Sequence, residues 1–185
     1  MSRPRKVEIL GAGISMGDVP PLDLSPDVER WGTNAVMFRR YGGQFDLWTR
    51  WIDLHKPDQI QARRPEAWEW YRAQDGRRPI LMWEPHPDVL GSMAYPREGV
   101  QQYFAQDGVL ERDFWGSLSW MLALAIFERF EEIDLFWFVT DQHQYGRQIP
   151  SVRYWIGQAR GRGIRVRIHG DSELKPKGPL YGYET

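Results

Sequence analysis

The chain has 185 residues, enough for one domain. Hydrophobic residues make up 42% and charged residues 26%, which excludes a disordered tail, a collagen-like fibre and a coiled coil. The absence of cysteine excludes disulfides, thiolate metal sites and a cysteine nucleophile. The sequence has no run of about 18 apolar residues and no signal-peptide core, so we expect a cytoplasmic protein with no membrane partner.

The net charge of -1 hides a segregation of charge along the chain. Residues 30–78 carry a net charge of +4, residues 79–146 carry -8 and residues 147–185 carry +5. This pattern predicts either a local basic surface or pairing of basic and acidic segments across the fold. The ten Trp and eight Tyr side chains are expected mostly in the core, with a minority available as stacking platforms.

Apolar runs separated by Gly and Pro predict strands that alternate with helices. The predicted strands cover residues 7–10, 29–34, 46–55, 79–83, 133–139 and 164–168. The predicted helices cover residues 65–74, 113–130, with Asp113 as N-cap, and 150–160. Residues 88–112 are expected to be mixed and turn-rich, and the tail from about residue 169 mostly irregular.

This alternation predicts a single α/β domain, Rossmann-like, with a mostly parallel twisted sheet and helices on both faces. The nearly continuous apolar runs at 80–83 and 133–139 are typical of strands covered on both faces. Ligands of such sheets bind at the carboxyl ends of the strands, beside a topological switch point. The residues that follow each predicted strand are therefore the first candidates for a site.

The loop after the first strand contains Gly11, Gly13 and Ser15, whose backbone N–H groups could bind a phosphate. Met16 stands where a dinucleotide fingerprint requires a third glycine, which disfavours a nicotinamide-linked oxidoreductase. Asn34 follows the second strand and is a candidate for binding a base or ribose. The alternatives are a tight structural turn at the glycines and a turn cap at Asn34.

Two helix starts provide further candidates for phosphate or ring binding. Ser117 and Ser119 lie in the first turns of an apolar helix, whose N-terminus offers unpaired N–H groups. The alternative is that these small residues permit close packing of the helix against the sheet. Arg153 and Tyr154 open a later helix and could hold a phosphate and a ring.

Acid–base chemistry is predicted for Asp141 and His143, which follow the strand at 133–139. Asp53 and His55 have the same spacing after an earlier strand and are the weaker candidates. No HxH or HExxH pattern occurs, so no metal site is predicted.

The motifs together resemble a family of small, functionally uncharacterised proteins of tailed bacteriophages, over nearly the whole chain. In chain order they are the glycine loop, Trp31-Gly32-Thr33-Asn34, Trp48-Thr49-Arg50-Trp51, Glu84-Pro85-His86-Pro87, Ser117-Leu118-Ser119, Asp141, Gly161-Arg162-Gly163-Ile164 and Leu180-Tyr181-Gly182-Tyr183-Glu184. More remotely, the arrangement resembles the Rossmann-like fold of hydroxymethylpterin diphosphokinase-like proteins and of sialyltransferases that use a CMP-sugar. His143 as the base comes from its position after a strand and not from this resemblance.

The resemblance implies that Gly11, Gly13, Ser15 and Asn34 hold a nucleotide, and by analogy that the helix-start serines contact phosphate. We therefore expect a glycosyltransferase-like transferase that binds a nucleotide or nucleotide-sugar, acting in the host cytoplasm if it is phage-encoded. A nucleobase or nucleic acid is the expected acceptor class. The alternative is a non-catalytic phage module that binds a nucleotide or nucleic acid. The identity of the nucleotide and the oligomeric state stay open.

Overall fold

The computed structural model describes residues 5–11, 22–33, 48–136, 146, 148–170 and 172–175. The strands are β1 (Lys6–Leu10), β2 (Val28–Thr33), β3 (Arg50–Ile52), β4 (Ile80–Met82), β5 (Ser92–Ala94), β6 (Glu132–Phe136) and β7 (Arg165–Ile168). The helices are α1 (Pro57–Arg63), α2 (Pro65–Ala73), α3 (Arg97–Phe104), α4 (Ser117–Phe127) and α5 (Gln148–Gly161). Short 3-10 turns lie at Ala105–Asp107 and Glu111–Phe114.

The seven strands form one sheet in the order β5-β4-β3-β2-β1-β6-β7, and every neighbouring pair is parallel. This confirms the predicted α/β class and the Rossmann-like parallel sheet. Because all neighbouring strands are parallel, their carboxyl ends lie along a single edge of the sheet, which we call the carboxyl edge. Strand β1 has β2 on one side and β6 on the other, so the topological switch point lies between β1 and β6.

The larger core covers one face of the sheet, which we call the α4 face. Alternate strand residues point into it, including Ile9 of β1, Trp31 of β2 and Ile133 of β6, and all three are fully buried. Helices α3, α4 and α5 pack on this face. The sequence of α4 is apolar on nearly every side, so the helix is buried in the middle of this layer.

The smaller core covers the opposite face, the α2 face, over β3 and β4. Trp51 and Trp48 pack there against α1 and α2. Gly32 lies opposite Trp51 in the register of β2 and β3, and a Cβ atom at Gly32 would come 2.4 Å from the Trp51 ring. Glycine at this position therefore lets the indole lie across β2.

Several predicted boundaries are wrong for local reasons. Asp113 is not the N-cap of α4, because its carboxylate accepts the Leu110 N–H within the preceding 3-10 turn, and α4 begins after Gly116. Strand β5 and helix α3 lie within residues 88–112, which the sequence predicts to be mixed and turn-rich without placing a strand or helix there. Both elements are short. Strand β5 lies at the sheet edge and has no buried side chain, so its sequence has no alternation of apolar and polar residues.

Charge pairing across the fold accounts for much of the segregation seen in the sequence. Arg162 pairs with Asp107, Arg165 pairs with Glu132, and Arg167 pairs with Glu132 and Asp134. The basic C-terminal segment thus contacts the acidic middle segment. Of the helices within the described residues, none is both long and apolar enough to cross a membrane.

Candidate active site

The carboxyl edge brings together the ends of the predicted ligand-binding strands. Gly11 follows β1 and is buried, and its N–H donates to the carbonyl of Phe136 at the end of β6, at 2.9 Å. Thr33 ends β2 on the other side of β1, and its hydroxyl donates to the Ile52 carbonyl at the end of β3, at 2.8 Å. The chain segments that leave β1, β2, β3 and β6 therefore start next to each other.

An Asp–His pair lies at this edge, directly after β3. Asp53 is buried, and its Oδ1 atom lies 2.6 Å from Nδ1 of His55. The backbone N–H of His55 also donates to Oδ1, at 3.2 Å. The Asp53 N–H donates to the Leu81 carbonyl of β4, which holds this residue in line with the sheet. The carboxylate is thus fixed by the strand while the imidazole turns back onto it.

Two aromatic side chains on the α2 face support the pair. The Tyr71 hydroxyl of α2 donates to Oδ2 of Asp53 at 2.6 Å, and Nε1 of Trp51 donates to the Tyr71 hydroxyl at 3.1 Å. Burial and the neighbouring Asp53 charge raise the pKa of Tyr71 well above its ordinary value. Tyr71 therefore stays a donor at neutral pH, and both carboxylate oxygens of Asp53 are hydrogen-bonded.

This geometry equips His55 for proton transfer. A carboxylate accepts hydrogen bonds only, so the proton of the neutral imidazole lies on Nδ1 and the lone pair on Nε2. The His55 side chain is 35% exposed, whereas that of Asp53 is fully buried. In this arrangement the solvent-accessible imidazole can act as a general base. The buried carboxylate orients the imidazole and stabilises the imidazolium that forms.

His86 follows the next strand, β4, and its surroundings differ. Its ring contacts the Trp68 ring edge-on with centroids 4.7 Å apart, and Nδ1 accepts the Asp88 N–H at 3.2 Å. The base-and-carboxylate arrangement is therefore particular to His55 among these two strand-end histidines.

Five of the residues singled out from the sequence lie outside the described part of the chain: Gly13, Ser15, Asn34, Asp141 and His143. The strands that precede them, β1, β2 and β6, are adjacent and parallel in the sheet. The roles assigned to these residues stay predictions.

Ser117 and Ser119 lie in the first turn of α4. Because β6 begins five residues after α4 ends, α4 runs back from the carboxyl edge, and its start lies near that edge. Ser119 is fully buried; its Oγ lies 2.7 Å from Oγ of Ser151 in α5 and donates to the Trp115 carbonyl. The Ser119 hydroxyl is therefore occupied in joining α4 to α5, a helix–helix contact that neither sequence alternative predicted, whereas Ser117 is half-buried.

Arg153 and Tyr154 do not share one site. Arg153 is exposed and donates to the Glu173 carbonyl at 2.6 Å, lining a cavity of about 440 Å³. Tyr154 lines a different cavity, of about 300 Å³, with Trp115. Consecutive residues of a helix point in directions about 100° apart, so the predicted phosphate-and-ring pair separates into two surfaces.

A row of charges on the α2 face crosses β1, β6 and β7, and none of the sequence motifs includes it. Glu8, Asp134 and Arg167 are register partners across these three strands. Lys6 lies 2.8 Å from Glu8 and 3.0 Å from Asp134. Glu8, Asp134 and Arg167 each lie between two apolar residues of their strand. A charged residue at such a position in a strand is the sequence signal that could have predicted the row.

Asp134 is the centre of this row. Burial by itself raises the pKa of Asp134, but hydrogen bonds and charge from Arg167 and Lys6 outweigh burial and hold the pKa below its ordinary value. His169 follows β7; its Nε2 lies 3.4 Å from Asp134, and its ring stacks on Phe136 at a centroid distance of 4.2 Å. The row thus ties the carboxyl ends of β6 and β7 together.

Within the described ranges, no group of three or more Asp, Glu or His side chains is arranged to hold a metal ion. No protein-family model matches the chain, and neither the curated proteins nor the solved structures contain a significant match to it.

Proposed function

We propose that the protein is a nucleotide- or nucleotide-sugar-binding transferase in which His55 takes the proton of the acceptor. The observation that carries the proposal is the Asp53–His55 pair at the carboxyl edge of a parallel sheet. The Asp53 carboxylate is buried and hydrogen-bonded by Tyr71, and the His55 imidazole is partly exposed. Proton abstraction from a hydroxyl or amine is the chemistry that such a pair performs.

The nucleotide part of the proposal rests on the fold and on the chain after β1. An all-parallel sheet with a switch point beside β1 binds its ligand outside the carboxyl ends of the strands. Gly11 lies at that place and opens the segment Gly11-Ala12-Gly13, for which the sequence predicts a tight turn. Backbone N–H groups in such turns recognise phosphate oxygens.

The favoured reaction is glycosyl transfer. The acceptor O–H bond breaks as Nε2 of His55 takes the proton, and the acceptor oxygen bonds to the anomeric carbon of the donor sugar. The bond from that carbon to the phosphate oxygen breaks, and its electron pair leaves with the nucleotide. Asp53 lies 2.6 Å from Nδ1 and stabilises the imidazolium that forms.

The sequence prediction assigns the base to His143 or Asp141, which lie outside the described residues. Of the three described histidines, His55 is the one whose ring is hydrogen-bonded to a carboxylate; Nε2 of His169 lies 3.4 Å from Asp134 and makes no hydrogen bond with a described residue. Substituting each histidine separately therefore decides between the two assignments.

The test is a transfer and hydrolysis screen with radiolabelled UDP-, GDP- and CMP-sugars and with mixed nucleoside and oligonucleotide acceptors. The variants are His55→Gln, His143→Gln and, as the matched control, His86→Gln. We expect the rate to fall by 10²- to 10⁴-fold in His55→Gln, the usual contribution of a general base, and to stay within about threefold in His86→Gln. Tight nucleotide binding with no turnover by the wild-type protein would instead support the non-catalytic binding module, and full activity of His55→Gln would contradict the assignment.

A further inference from the structure

Three basic side chains surround a cavity away from the Asp53–His55 pair. The cavity has a volume of about 440 Å³ and lies between α5, β7 and residues 172–175. Arg153, Arg160 and Lys175 line it, together with the apolar side chains of Ile156, Ile168 and Leu174 and the backbone of Gly157. We call it the α5–β7 groove.

Within the described part of the chain, none of the three cations of the α5–β7 groove pairs with a carboxylate, unlike their basic neighbours. Arg153 donates to the Glu173 carbonyl at 2.6 Å, Arg160 to the Val166 carbonyl at 3.2 Å and Lys175 to the Gly170 carbonyl at 2.5 Å. Carbonyl groups orient these side chains without neutralising them. The described residues that line the groove include no acidic side chain.

The neighbouring arginines show the contrast. Arg162, Arg165 and Arg167 each pair with at least one carboxylate. Charge pairing therefore neutralises one set of cations on α5 and β7 and leaves another set around a cavity. The C-terminal basic segment therefore shows both arrangements that the charge pattern allowed, which are ion pairs with the acidic segment and a local basic surface.

From this arrangement we infer that the α5–β7 groove binds a phosphate-bearing ligand of nucleotide size. Its volume falls within the range of small-molecule sites, about 300–1,000 Å³. Arg153 and Arg160 are seven residues apart on α5, or about 10 Å along the helix axis, so cations stand at both ends of the groove. Arginine and lysine provide the donors that phosphate oxygens accept, and the apolar floor suits a base or sugar. The ligand is either a free nucleotide or one unit of a nucleic-acid strand.

Gly157 makes a sharp test available, because the space next to it is open. A Cβ atom built on Gly157 has no atom within 4 Å apart from its neighbours in the backbone of α5, and the residue is an exposed position within that helix. Replacing glycine inside a helix with Gln, Glu or Lys also favours the helix, by up to about 1 kcal/mol, so these variants are expected to fold. Gly157→Glu and Gly157→Gln differ only in charge.

The probes are AMP, measured by isothermal titration calorimetry, and a labelled dT10 oligonucleotide, measured by fluorescence anisotropy at low salt. Binding of the competent probe should be at least tenfold weaker in Gly157→Glu than in Gly157→Gln and tighter in Gly157→Lys. Binding of AMP alone would assign a free nucleotide, and binding of dT10 would assign a nucleic-acid strand. Arg165→Gln, which removes a carboxylate-paired cation, should leave binding within about threefold.

Equal affinities of Gly157→Glu and Gly157→Gln, or no binding of either probe to the wild-type protein, would overturn the inference. It stands independently of the proposed transferase. A nucleotide held only at the carboxyl edge would bind the Gly157 variants equally well, and His55→Gln leaves the groove unchanged.

Discussion

The carboxylate of Asp53 lies 2.6 Å from Nδ1 of His55, and the two residues are separated only by Leu54, which packs into the opposite layer of the fold. Leu54 belongs to the α4-face core, whereas Asp53 contacts Tyr71 on the α2 face, so the alternation of side chains in β3 continues past the end of the strand. A three-residue segment therefore both anchors itself in the α4-face core and presents an oriented imidazole at the carboxyl edge.

Asp53→Asn should reverse the tautomer of His55. The side-chain amide keeps the shape of the carboxylate, and its oxygen can still accept the Tyr71 hydroxyl, which turns the NH₂ group towards Nδ1 at the expense of the hydrogen bond from the His55 backbone N–H. Nδ1 must then accept, so the proton moves to Nε2 and the lone pair needed for proton abstraction is lost. Long-range ¹H–¹⁵N NMR spectra should show Nδ1–H in the wild-type protein and Nε2–H in the variant. An unchanged tautomer would contradict the proposed role of Asp53.

Tyr71→Phe should destabilise the protein by about 1–3 kcal/mol, because the buried Asp53 carboxylate and the Trp51 N–H lose their common partner. Tyr154→Phe is the matched control; its hydroxyl accepts from Gln158 on the partly exposed side of α5, and the change should cost under about 0.5 kcal/mol. Urea unfolding at pH 7 measures both values.

The same Tyr71 variant has a predicted pH dependence. Burial and the Asp53 charge raise the pKa of Tyr71 in the folded protein, so the unfolded chain releases this proton first as pH rises. The stability linked to Tyr71 is complete below about pH 10, its ordinary pKa, and is lost as pH rises towards the folded value. The stability difference between the wild-type protein and Tyr71→Phe should therefore narrow above pH 10. A constant difference would show that Tyr71 titrates normally.

Asp134→Asn should act at the other end of the pH scale. Lys6 and Arg167 outweigh burial and lower the pKa of Asp134, so its contribution is present above about pH 4 and is lost as pH falls through the folded value. We expect a loss of about 1–3 kcal/mol at pH 7 that shrinks below pH 4. Asp58→Asn, at an exposed position of α1, provides the control. Equal losses at pH 7 and pH 3 would exclude the charge row as the cause.

Two glycines should respond to alanine in opposite ways. Gly32→Ala places a Cβ atom 2.4 Å from the Trp51 ring and should cost about 1–3 kcal/mol through overpacking. Gly157→Ala meets open space within α5 and should stabilise the protein by up to about 1 kcal/mol. Thermal unfolding of both variants checks the packing of β2 against β3, and a neutral Gly32→Ala would contradict it.

The sheet was predictable from the sequence because its central strands are short apolar runs bounded by Gly, Pro or polar residues. Residues 80–82 of the run at 80–83 and residues 133–136 of the run at 133–139 are strands, as predicted. Helix α1 was missed because it has seven residues, of which only Ile60 is buried, and so it has no apolar period. Strand β5 was missed for a similar reason, since two of its three side chains are exposed.

The sequence alone predicts only part of the candidate site. Asp53-Leu54-His55 and Asp141-Gln142-His143 have the same spacing after a strand, so spacing alone could not rank them. In the structure, Asp53 accepts a hydrogen bond from Tyr71, 18 residues away on a helix. Such a contact depends on how α2 packs against β3, which local sequence patterns do not contain.

Chemical rescue of His55→Gly tests the central claim most directly. Removing a 35%-exposed imidazole leaves a solvent-accessible gap beside Asp53, into which free imidazole can enter. In the reaction identified by the nucleotide-sugar screen, we expect the rate of His55→Gly to be lower than that of the wild-type protein by about 100-fold or more. Added imidazole should restore turnover of this variant in a saturable manner. Added imidazole should not change the rate of the control variant His86→Gly. Wild-type turnover by His55→Gly, or a rate loss that imidazole does not relieve, would contradict the assignment of His55 as the base.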